Sequence, residues 1–486
     1  MSDHGTWREP TPAWAEGEEF GESPGTAVLL ASVAALGGFL FGYDTAVING
    51  AVAAIDDEYN ASNLALGLTV SAALLGSAVG AMIAGRLADR YGRLHAMRAA
   101  ALLFFISAVG SGLAWSLASL AVFRVVGGIA VGVASVIAPA YIAEIAPARI
   151  RGRLGSLQQL AIVTGIFLAL LVDYAVAAAA GGSKNEWLLG LEAWRWMFLA
   201  MTVPSLAYGV LSFTIPESPR WLVARDRLPE ARRVLGRLLG DQGVNRKIGQ
   251  IQDTLQHETV PSWRDLRHPK LGLLPLVWVG IGLSVFQQFV GINVIFYYSS
   301  VLWQAVGFSE SDSLLITVIT SVVNIVTTLV AISLIDKLGR RPLLLIGSAG
   351  MAVSLGLMAV AFTQATGSGD DISLSGPWGI IALICANAFV VFFGASWGPL
   401  VWVLLGEMFP NRIRAAALGV AAAMQWIANF AITLTFPPML AAFGASVPYL
   451  MYAAFAALSF FFVLTKVPET KGMELEDMVE QGRTKA

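Results

Sequence analysis

The chain has 486 residues, of which 56% are hydrophobic and only 13% are charged. Soluble chains carry about 25% charged residues, so this composition excludes an ordinary soluble protein and is typical of a chain that lies in a lipid bilayer. The net charge of −2 excludes bulk attraction to nucleic acid. The single cysteine, Cys385, excludes an intramolecular disulfide and a multi-cysteine metal site.

The first 26 residues carry six acidic side chains against one arginine and contain no apolar run. This pattern is not that of a secretory signal, which has a basic start and an apolar core. We therefore expect a polar N-terminal segment followed by a hydrophobic run that stays in the mature protein.

Twelve stretches are long and apolar enough to cross a membrane, which takes about 20 residues of helix. They are predicted at 27–48, 64–84, 96–116, 118–139, 154–178, 195–215, 272–296, 312–334, 342–364, 377–404, 414–436 and 443–465. An even number of spans places both termini on the same side of the membrane.

The lysines and arginines cluster in the loops that follow the even-numbered spans, at 86–98, 149–153, 220–270, 337–341 and 412–414. The opposite loops hold little beyond Lys184 and Arg195. Because cytoplasmic loops carry the excess of positive charge, we expect a multi-pass protein of the cell (plasma or inner) membrane with both termini in the cytoplasm.

The chain repeats itself at a nearly constant offset. The segment 89–93 recurs at 336–340, 144–151 recurs at 407–414, and 216–218 recurs at 468–470. Such recurrences at equivalent loops indicate two six-helix halves, the architecture of an alternating-access carrier. The predicted domains are a cytoplasmic N-terminal segment, a first bundle, a cytoplasmic helical linker, a second bundle and a cytoplasmic tail, at 1–26, 27–215, 216–270, 271–466 and 467–486.

The linker 216–270 shows apolar residues at three- to four-residue intervals, with Pro229 near a plausible helix start. This spacing predicts short amphipathic helices on the cytoplasmic face. A disordered linker is the alternative.

Nine motifs in chain order resemble the sugar porter family of the major facilitator superfamily. They are GFLFGYDTAVING (38–50), GRLADRYGR (85–93), FRVVGGIAVG (123–132), PAYIAEIAPARIRG (139–152), PESPRWL (216–222), QQFVGINVIFYYS (287–299), DKLGRR (336–341), SWGPLVWVLLGEMFP (396–410) and PETKG (468–472). The resemblance implies an all-α integral membrane protein with twelve transmembrane helices in two six-helix halves, the major facilitator fold, and a carrier for monosaccharides.

A sugar offers hydroxyls and apolar C–H faces, so its site needs side-chain amides and aromatic walls rather than charges. Amides and tryptophans of this kind lie near the middle of several spans, and the resemblance carries most of them over as sugar ligands. The predicted ligands are Gln159, Gln287, Gln288, Asn293, Asn324, Trp402 and Gln425, with Trp426 beside the last of them. Further candidates are Ile166, Phe296, Tyr297 and Asn429. For Asn324 the alternative, an amide that only bonds a neighbouring helix, stays open.

The repeated charged motifs sit at span ends around the cytoplasmic mouth. Their acidic and basic side chains are predicted to pair there and to hold the mouth closed when the carrier faces outward; simple anchoring by the positive-inside effect is compatible with this role. The predicted gate residues are Asp89, Arg93, Glu144, Arg151, Asp336, Arg340, Glu407 and Arg414. In addition, Gly398-Pro399 should interrupt span 10.

Asp44 and Arg124 are ionisable residues inside spans, which is costly and by default functional. Counted along their helices at ~1.5 Å per residue, they lie about 6 Å and about 9 Å from the outer ends of spans 1 and 4 and can therefore meet. We expect this pair to couple transport to protons, and the substrates to be a monosaccharide and a proton. Met201 occupies the region of span 6 where some proton-coupled relatives carry an acidic group, so Asp44 is expected to act without that helper.

The predicted function is thus proton-coupled symport of a monosaccharide; Ile166 and Phe296 resemble the hexose-carrying branch and favour glucose. A passive facilitator with the same site is the alternative, and Asp44 argues against it because purely facilitative relatives commonly carry an uncharged residue there. A non-transporting sensor is disfavoured by the short tail. The four histidines lie outside or at the edges of the spans, so we expect no enzyme and no cofactor, and a carrier that functions as a monomer.

Overall fold

The computed structural model describes residues 24–146, 151–240, 243–257, 263–268, 270, 272–366, 373–374, 376–409 and 413–470. Within these ranges the membrane region is entirely helical, and the predicted all-α membrane fold is confirmed. The predicted N-terminal segment and C-terminal tail lie mostly outside the described residues.

The helices of the first predicted bundle follow one another with short connections. They are α1 (Pro24–Ala46), α2 (Ile48–Tyr59), α3 (Asn63–Tyr91), α4 (Arg93–Gly112), α5 (Leu117–Ile145), α6 (Arg151–Ala180), α7 (Ala193–Ala200) and α8 (Thr202–Leu211).

The linker contains three helices, and the second predicted bundle follows it. The linker helices are α9 (Pro219–Ala224), α10 (Leu228–Leu239) and α11 (Val244–His257). The later helices are α12 (Pro275–Phe289), α13 (Ile292–Tyr297), α14 (Ser299–Gln304), α15 (Glu310–Leu338), α16 (Arg340–Phe362), α17 (Trp378–Gly394), α18 (Trp397–Met408), α19 (Arg414–Phe443) and α20 (Ser446–Lys466). Two short antiparallel strand pairs lie in loops, β1 (Arg267–His268) with β2 (Gly272–Leu273) and β3 (Ala365–Thr366) with β4 (Ser373–Leu374).

Eleven of the twelve predicted spans appear in the described residues as helices long and apolar enough to cross a membrane. The sixth is divided into α7 and α8, which run through the predicted interval with Met201 between them. Pro204, the third residue of α8, explains the division because proline lacks the N–H that would bond the carbonyl of Ala200.

Span 1 is longer than predicted. It breaks at Val47 and continues as α2 to Tyr59, beyond the expected end at residue 48. Asp44 therefore lies fifteen residues before the end of the helix, about 22 Å at ~1.5 Å per residue, and the predicted depth of about 6 Å was wrong. A helix satisfies its own backbone whether its side chains are apolar or acidic, so it does not have to end where the apolar run ends.

Span 10 is interrupted as predicted. α17 ends at Gly394 and α18 begins at Trp397, so the break falls at the position where Pro399 cannot bond the carbonyl four residues earlier.

The described part of the linker contains helices, as predicted, and the apolar faces of α10 and α11 are buried through Ala231, Leu235 and Ile248. Trp221 of α9 donates its indole N–H to the carbonyl of Asp89 at 3.1 Å. The linker helices thus cover the end of the bundle where α3 ends and α4 begins. We call it the linker end and the other the far end.

The two predicted bundles contact each other mainly through α3 against α19 and α6 against α15. Within the first bundle, glycines bring α3 and α5 together, since a methyl group at Gly128 would overlap the backbone of Ala73. Such close approach is typical of membrane helices. The hydrophobic effect does not drive their association in lipid, and small residues allow close van der Waals packing instead.

Candidate functional site

A cavity of about 970 Å³ lies at the centre of the bundle, at the upper end of the ~300–1,000 Å³ range of small-molecule sites. Its wall includes every residue predicted to contact sugar. They are Gln159, Ile166, Gln287, Gln288, Asn293, Phe296, Tyr297, Asn324, Trp402, Gln425, Trp426 and Asn429. The fold thus gathers into one space side chains that are separated by up to 270 positions in sequence.

Span 7 presents three of the amides in a connected chain. Gln287 donates from Nε2 to the carbonyls of Trp397 and Gly398 at 2.9 and 3.2 Å, at the start of α18. Gln288 donates to Oε1 of Gln287 at 3.3 Å, and Asn293 donates to Oε1 of Gln288. The amides are therefore held in place before any ligand arrives, and the break in span 10 supplies the carbonyls that hold the first of them.

The break between α12 and α13 places Asn293 on this wall. Gly291 has φ of 81°, a left-handed conformation that side chains with a Cβ rarely adopt, and a Cβ there would also overlap the ring of Tyr452. The glycine lets the chain turn so that amides on both sides of it reach the same cavity.

Aromatic and amide groups from spans 1 and 11 complete the wall. The rings of Phe41 and Trp426 are 5.7 Å apart, and Oε1 of the neighbouring Gln425 is buried without a hydrogen-bond partner among the described residues. An unpartnered amide oxygen beside aromatic rings is a place where a hydroxyl with adjoining C–H groups can bind, since the hydroxyl can donate to the oxygen.

Gln158 was not among the sequence candidates, although it also lines the cavity. It is 8% exposed, and neither its Oε1 nor its Nε2 has a partner among the described residues. The signal was available, since Gln158 immediately precedes the predicted Gln159.

Asp44 and Arg124 meet inside the first bundle, and both are buried. Nη1 of Arg124 lies 3.3 Å from Oδ2 of Asp44 and donates to its backbone carbonyl at 2.7 Å. The guanidinium also lies 5.9 Å from the ring centroid of Phe198. The arginine therefore keeps a hydrogen-bond acceptor on this residue even when the carboxyl is neutral.

At the linker end, two arginine–glutamate pairs occupy equivalent positions. Arg93 donates to both carboxylate oxygens of Glu144 at 2.9 and 3.1 Å, and Arg340 does the same to Glu407 at 2.8 and 3.1 Å. Each pair joins helices of the same predicted bundle, and the cavity wall reaches Arg340. These two pairs are therefore compatible with an open cavity at this end.

The remaining predicted gate residues contribute less to this picture. Asp89 contacts Arg93 at 3.3 Å but is largely exposed. The side chains of Arg151, Asp336 and Arg414 lie outside the described part of the structure. Glu217 and Glu469, not among the candidates, bind the start of α4 and α16 through backbone N–H groups. The repeat of 216–218 at 468–470 was the signal for both.

At the far end, contacts between the predicted bundles close the molecule. Nδ2 of Asn49 donates to the carbonyl of Phe296 at 3.1 Å, and the hydroxyl of Ser300 donates to the carbonyl of Asn49. The backbone N–H of Ser183 donates to Glu310 at 2.9 Å. The central cavity thus extends towards the linker end and is sealed by hydrogen bonds at the far end.

A helical membrane bundle around a central cavity whose largely apolar wall carries several amides, sealed at one end, defines a membrane transporter. The chain belongs to the sugar (and other) transporter family, whose pattern matches residues 30–481. This confirms the resemblance seen in the motifs.

Relatives with known roles extend the match over nearly the whole chain. The chain is 58% identical to the glucose transport protein of Synechocystis sp., over 93% of this chain and 96% of that protein. It is 38% identical to the D-xylose-proton symporter of Escherichia coli, over 92% and 94%. Its fold is similar to the partially occluded inward-open conformation of the xylose transporter XylE from E. coli, with a TM-score of 0.80 and 37% identity over 92% of this chain and 99% of that one.

Proposed function

We propose that this protein is a proton-coupled symporter of a hexose, with glucose the favoured substrate, working by alternating access. The proposal rests on the chain of preset amides, Gln287, Gln288 and Asn293, that faces Gln159 and Gln425 across a cavity closed at one end. Neutral groups that both donate and accept hydrogen bonds suit an uncharged polyol, and no cation or anion is required of the substrate.

The names of the relatives support the substrate. The relative with the higher identity transports glucose, and the less similar one is named for xylose and protons. Ile166 and Phe296, both on the cavity wall, supply apolar contacts for the C–H faces of the sugar ring.

The Asp44–Arg124 pair supports proton coupling. Protonation of Asp44 would remove the attraction between the side chains, while the bond from Arg124 to the backbone carbonyl would remain. A proton can thus loosen the pair without releasing the arginine into an apolar interior, where an unpartnered charge is very costly. Binding of a proton then favours whichever conformation needs the looser pair.

The architecture fits two moving units. We assign them to 27–215 and 271–466, with 216–270 as a cytoplasmic linker between them and 1–26 and 467–486 as cytoplasmic ends. The linker end is then the cytoplasmic side of the cell membrane, and the structure corresponds to a carrier facing inward. Asp89, Arg93, Glu144, Arg151 and their repeat partners Asp336, Arg340, Glu407 and Arg414 form the cytoplasmic gate, and the carrier acts as a monomer without enzymatic activity.

Transport in proteoliposomes tests the proposal. Purified protein should exchange labelled glucose against unlabelled glucose inside the vesicles, and an imposed inward proton gradient should make it concentrate glucose. Exchange without concentration would leave a passive facilitator. Exchange of xylose but not glucose would contradict the hexose assignment.

A further inference from the structure

A second carboxyl group lies buried in the membrane region, away from the Asp44–Arg124 pair. Asp173 of α6 is 0% exposed, and its Oδ2 accepts a hydrogen bond from the backbone N–H of Gly50 at 3.1 Å. Its Oδ1 has no hydrogen-bond partner among the described residues. An ionised carboxylate in this position would be paired with one N–H group alone, which is a costly arrangement for a buried charge.

The contact with Gly50 is close. A Cβ at this glycine would lie 2.6–2.8 Å from the Asp173 side chain, so the carboxyl packs directly on the backbone of α2. Gly50 is the third residue of α2, and an N–H in the first turn of a helix has no partner within the helix. Asp173 therefore supplies an acceptor to a backbone N–H beside the break in span 1.

The residue next to Gly50 closes the far end of the cavity. Asn49 binds the carbonyl of Phe296 through its side chain and Ser300 through its carbonyl. Consecutive residues of α2 are thus bonded to α6 on one side and to span 7 on the other. Any change in the bond at Gly50 acts on the same helical turn that seals the carrier.

Most charged groups on the helices around α6 form ion pairs or hydrogen bonds elsewhere, while Asp56 of α2 interacts electrostatically with Lys184 and Tyr174 follows Asp173 on α6 itself. Tyr43 of α1 is close enough to Asp173 for an electrostatic interaction, and its hydroxyl donates to the carbonyl of Met197 at 3.3 Å. Arg124 of α5 pairs with Asp44, Arg195 of α7 pairs with Glu58 and Glu192, and Glu310 of α15 accepts from Ser183. Within the described residues, Asp173 forms no ion pair.

We propose that Asp173 is a second proton-binding carboxyl of this carrier, and that its proton favours closure of the far end. When the far end opens, Asn49 loses its bonds to span 7 and the turn of α2 that covers the carboxyl loosens. Water that then enters between α2 and α6 hydrates Asp173, which favours the ionised form. When it closes, the carboxyl is buried and the neutral form is favoured. By linkage, a proton bound at Asp173 stabilises the closed far end.

This inference rests on the proposed proton coupling, because it adds Asp173 as a further proton-binding site of the symporter. Asp44 and Asp173 would then have different tasks. Asp44 either binds a proton or pairs with Arg124 inside the first bundle. Asp173 acts instead on the turn of α2 that contacts the second bundle.

The test is cysteine labelling from the outside in the full-length chain. The native Cys385 is replaced by alanine, a reporter is introduced by Ala53→Cys one turn beyond Asn49, and Asp44→Asn removes the other buried carboxyl. In this background, labelling should rise about threefold from mildly acidic to mildly alkaline buffer, as the closed state loses its proton. Adding Asp173→Asn, which keeps the acceptor at Gly50 but cannot titrate, should make labelling low and independent of pH.

Unchanged pH dependence after Asp173→Asn would overturn the proposal. If that variant does not fold, as judged by size-exclusion profile and glucose binding, infrared difference spectroscopy on the Asp44→Asn chain decides instead. A band of a protonated carboxyl that disappears over the same pH range is expected, and its absence would refute a proton at Asp173. Labelling needs no sugar gradient, so it can succeed or fail independently of whether the wild-type protein concentrates glucose.

Discussion

Glu217 and Glu469 hold the starts of two equivalent helices in the same way. Glu217 accepts from the backbone N–H groups of Arg93 and Leu94 at 2.9 and 3.2 Å, and Glu469 accepts from those of Arg340 and Arg341, both at 3.0 Å. A carboxylate at a helix N-terminus satisfies unpaired donors and is attracted by the helix dipole.

Glu217→Ala should therefore destabilise the protein by about 1–3 kcal/mol, because two backbone donors lose a charged acceptor. Thermal unfolding in detergent measures the change. Glu230→Ala is the matched control, since Glu230 forms an exposed pair with Arg227 and its loss should cost at most about 1 kcal/mol. Equal effects of the two substitutions would contradict the role of Glu217.

Gln288→Ala should weaken glucose binding about thirtyfold while the protein still inserts and folds. The substitution removes the hydrogen bonds that this amide is expected to form with two sugar hydroxyls, at about 1 kcal/mol each. A loss of about 2 kcal/mol corresponds to about thirtyfold, because 1.4 kcal/mol is a factor of ten in affinity. Calorimetric titration with glucose measures the affinity. Asn387→Ala serves as the control because this amide, half-buried in α17, binds the carbonyl of Leu383 in its own helix and lies outside the cavity wall. Unchanged affinity in Gln288→Ala would remove this residue from the site.

Asp44→Asn should exchange glucose but fail to concentrate it. An amide cannot carry the proton, whose movement across the membrane supplies about 2.3 kcal/mol per 100 mV and hence about fiftyfold accumulation in the wild type. Uptake into proteoliposomes under an imposed proton gradient is the measurement. Asp57→Asn, at an exposed pair with Lys184, should accumulate glucose like the wild type. Accumulation by Asp44→Asn would place the coupling elsewhere.

Glu407→Gln should shift the carrier further towards the state that is open at the linker end. In this open state Glu407 holds Arg340 and accepts a hydrogen bond from Thr470 at 2.6 Å, both within the second bundle. In the proposed gate its charge also attracts basic side chains of the first bundle when the linker end closes, so the substitution removes an attraction that only the closed state has. With Cys385 replaced by alanine and Ala81→Cys as a reporter on the cavity wall, labelling from the cytoplasmic side should increase severalfold. Glu230→Gln in the same background should leave it unchanged. A decrease on Glu407→Gln would contradict a gate that closes through this residue.

The sequence alone determined the membrane spans and most of the candidate site. Apolar runs of about 20 residues form helices in a bilayer, because a helix pairs all its backbone N–H and C=O groups within the segment. Side-chain amides are costly to expose to lipid, and together with the family motif this allowed Gln287, Gln288 and Gln425 to be predicted as cavity residues before the fold was known.

The ends and breaks of the helices depended on backbone geometry that hydropathy does not report. Span 1 continues to Tyr59 because acidic side chains do not end a helix, and span 6 divides at Met201 because Pro204 removes a donor one turn away. Pro399 was recognised as a break because the chemistry of proline acts locally, whatever surrounds it.

Only the tertiary structure decided which partners distant residues take. The bond between Asp173 and Gly50 spans 123 positions, and Glu217 binds α4 from 124 positions away. No local pattern records such pairs, since they follow from how the helices cross in space. The sequence therefore determined what each span is made of, and helix packing determined which buried carboxyl meets an arginine and which meets a backbone N–H.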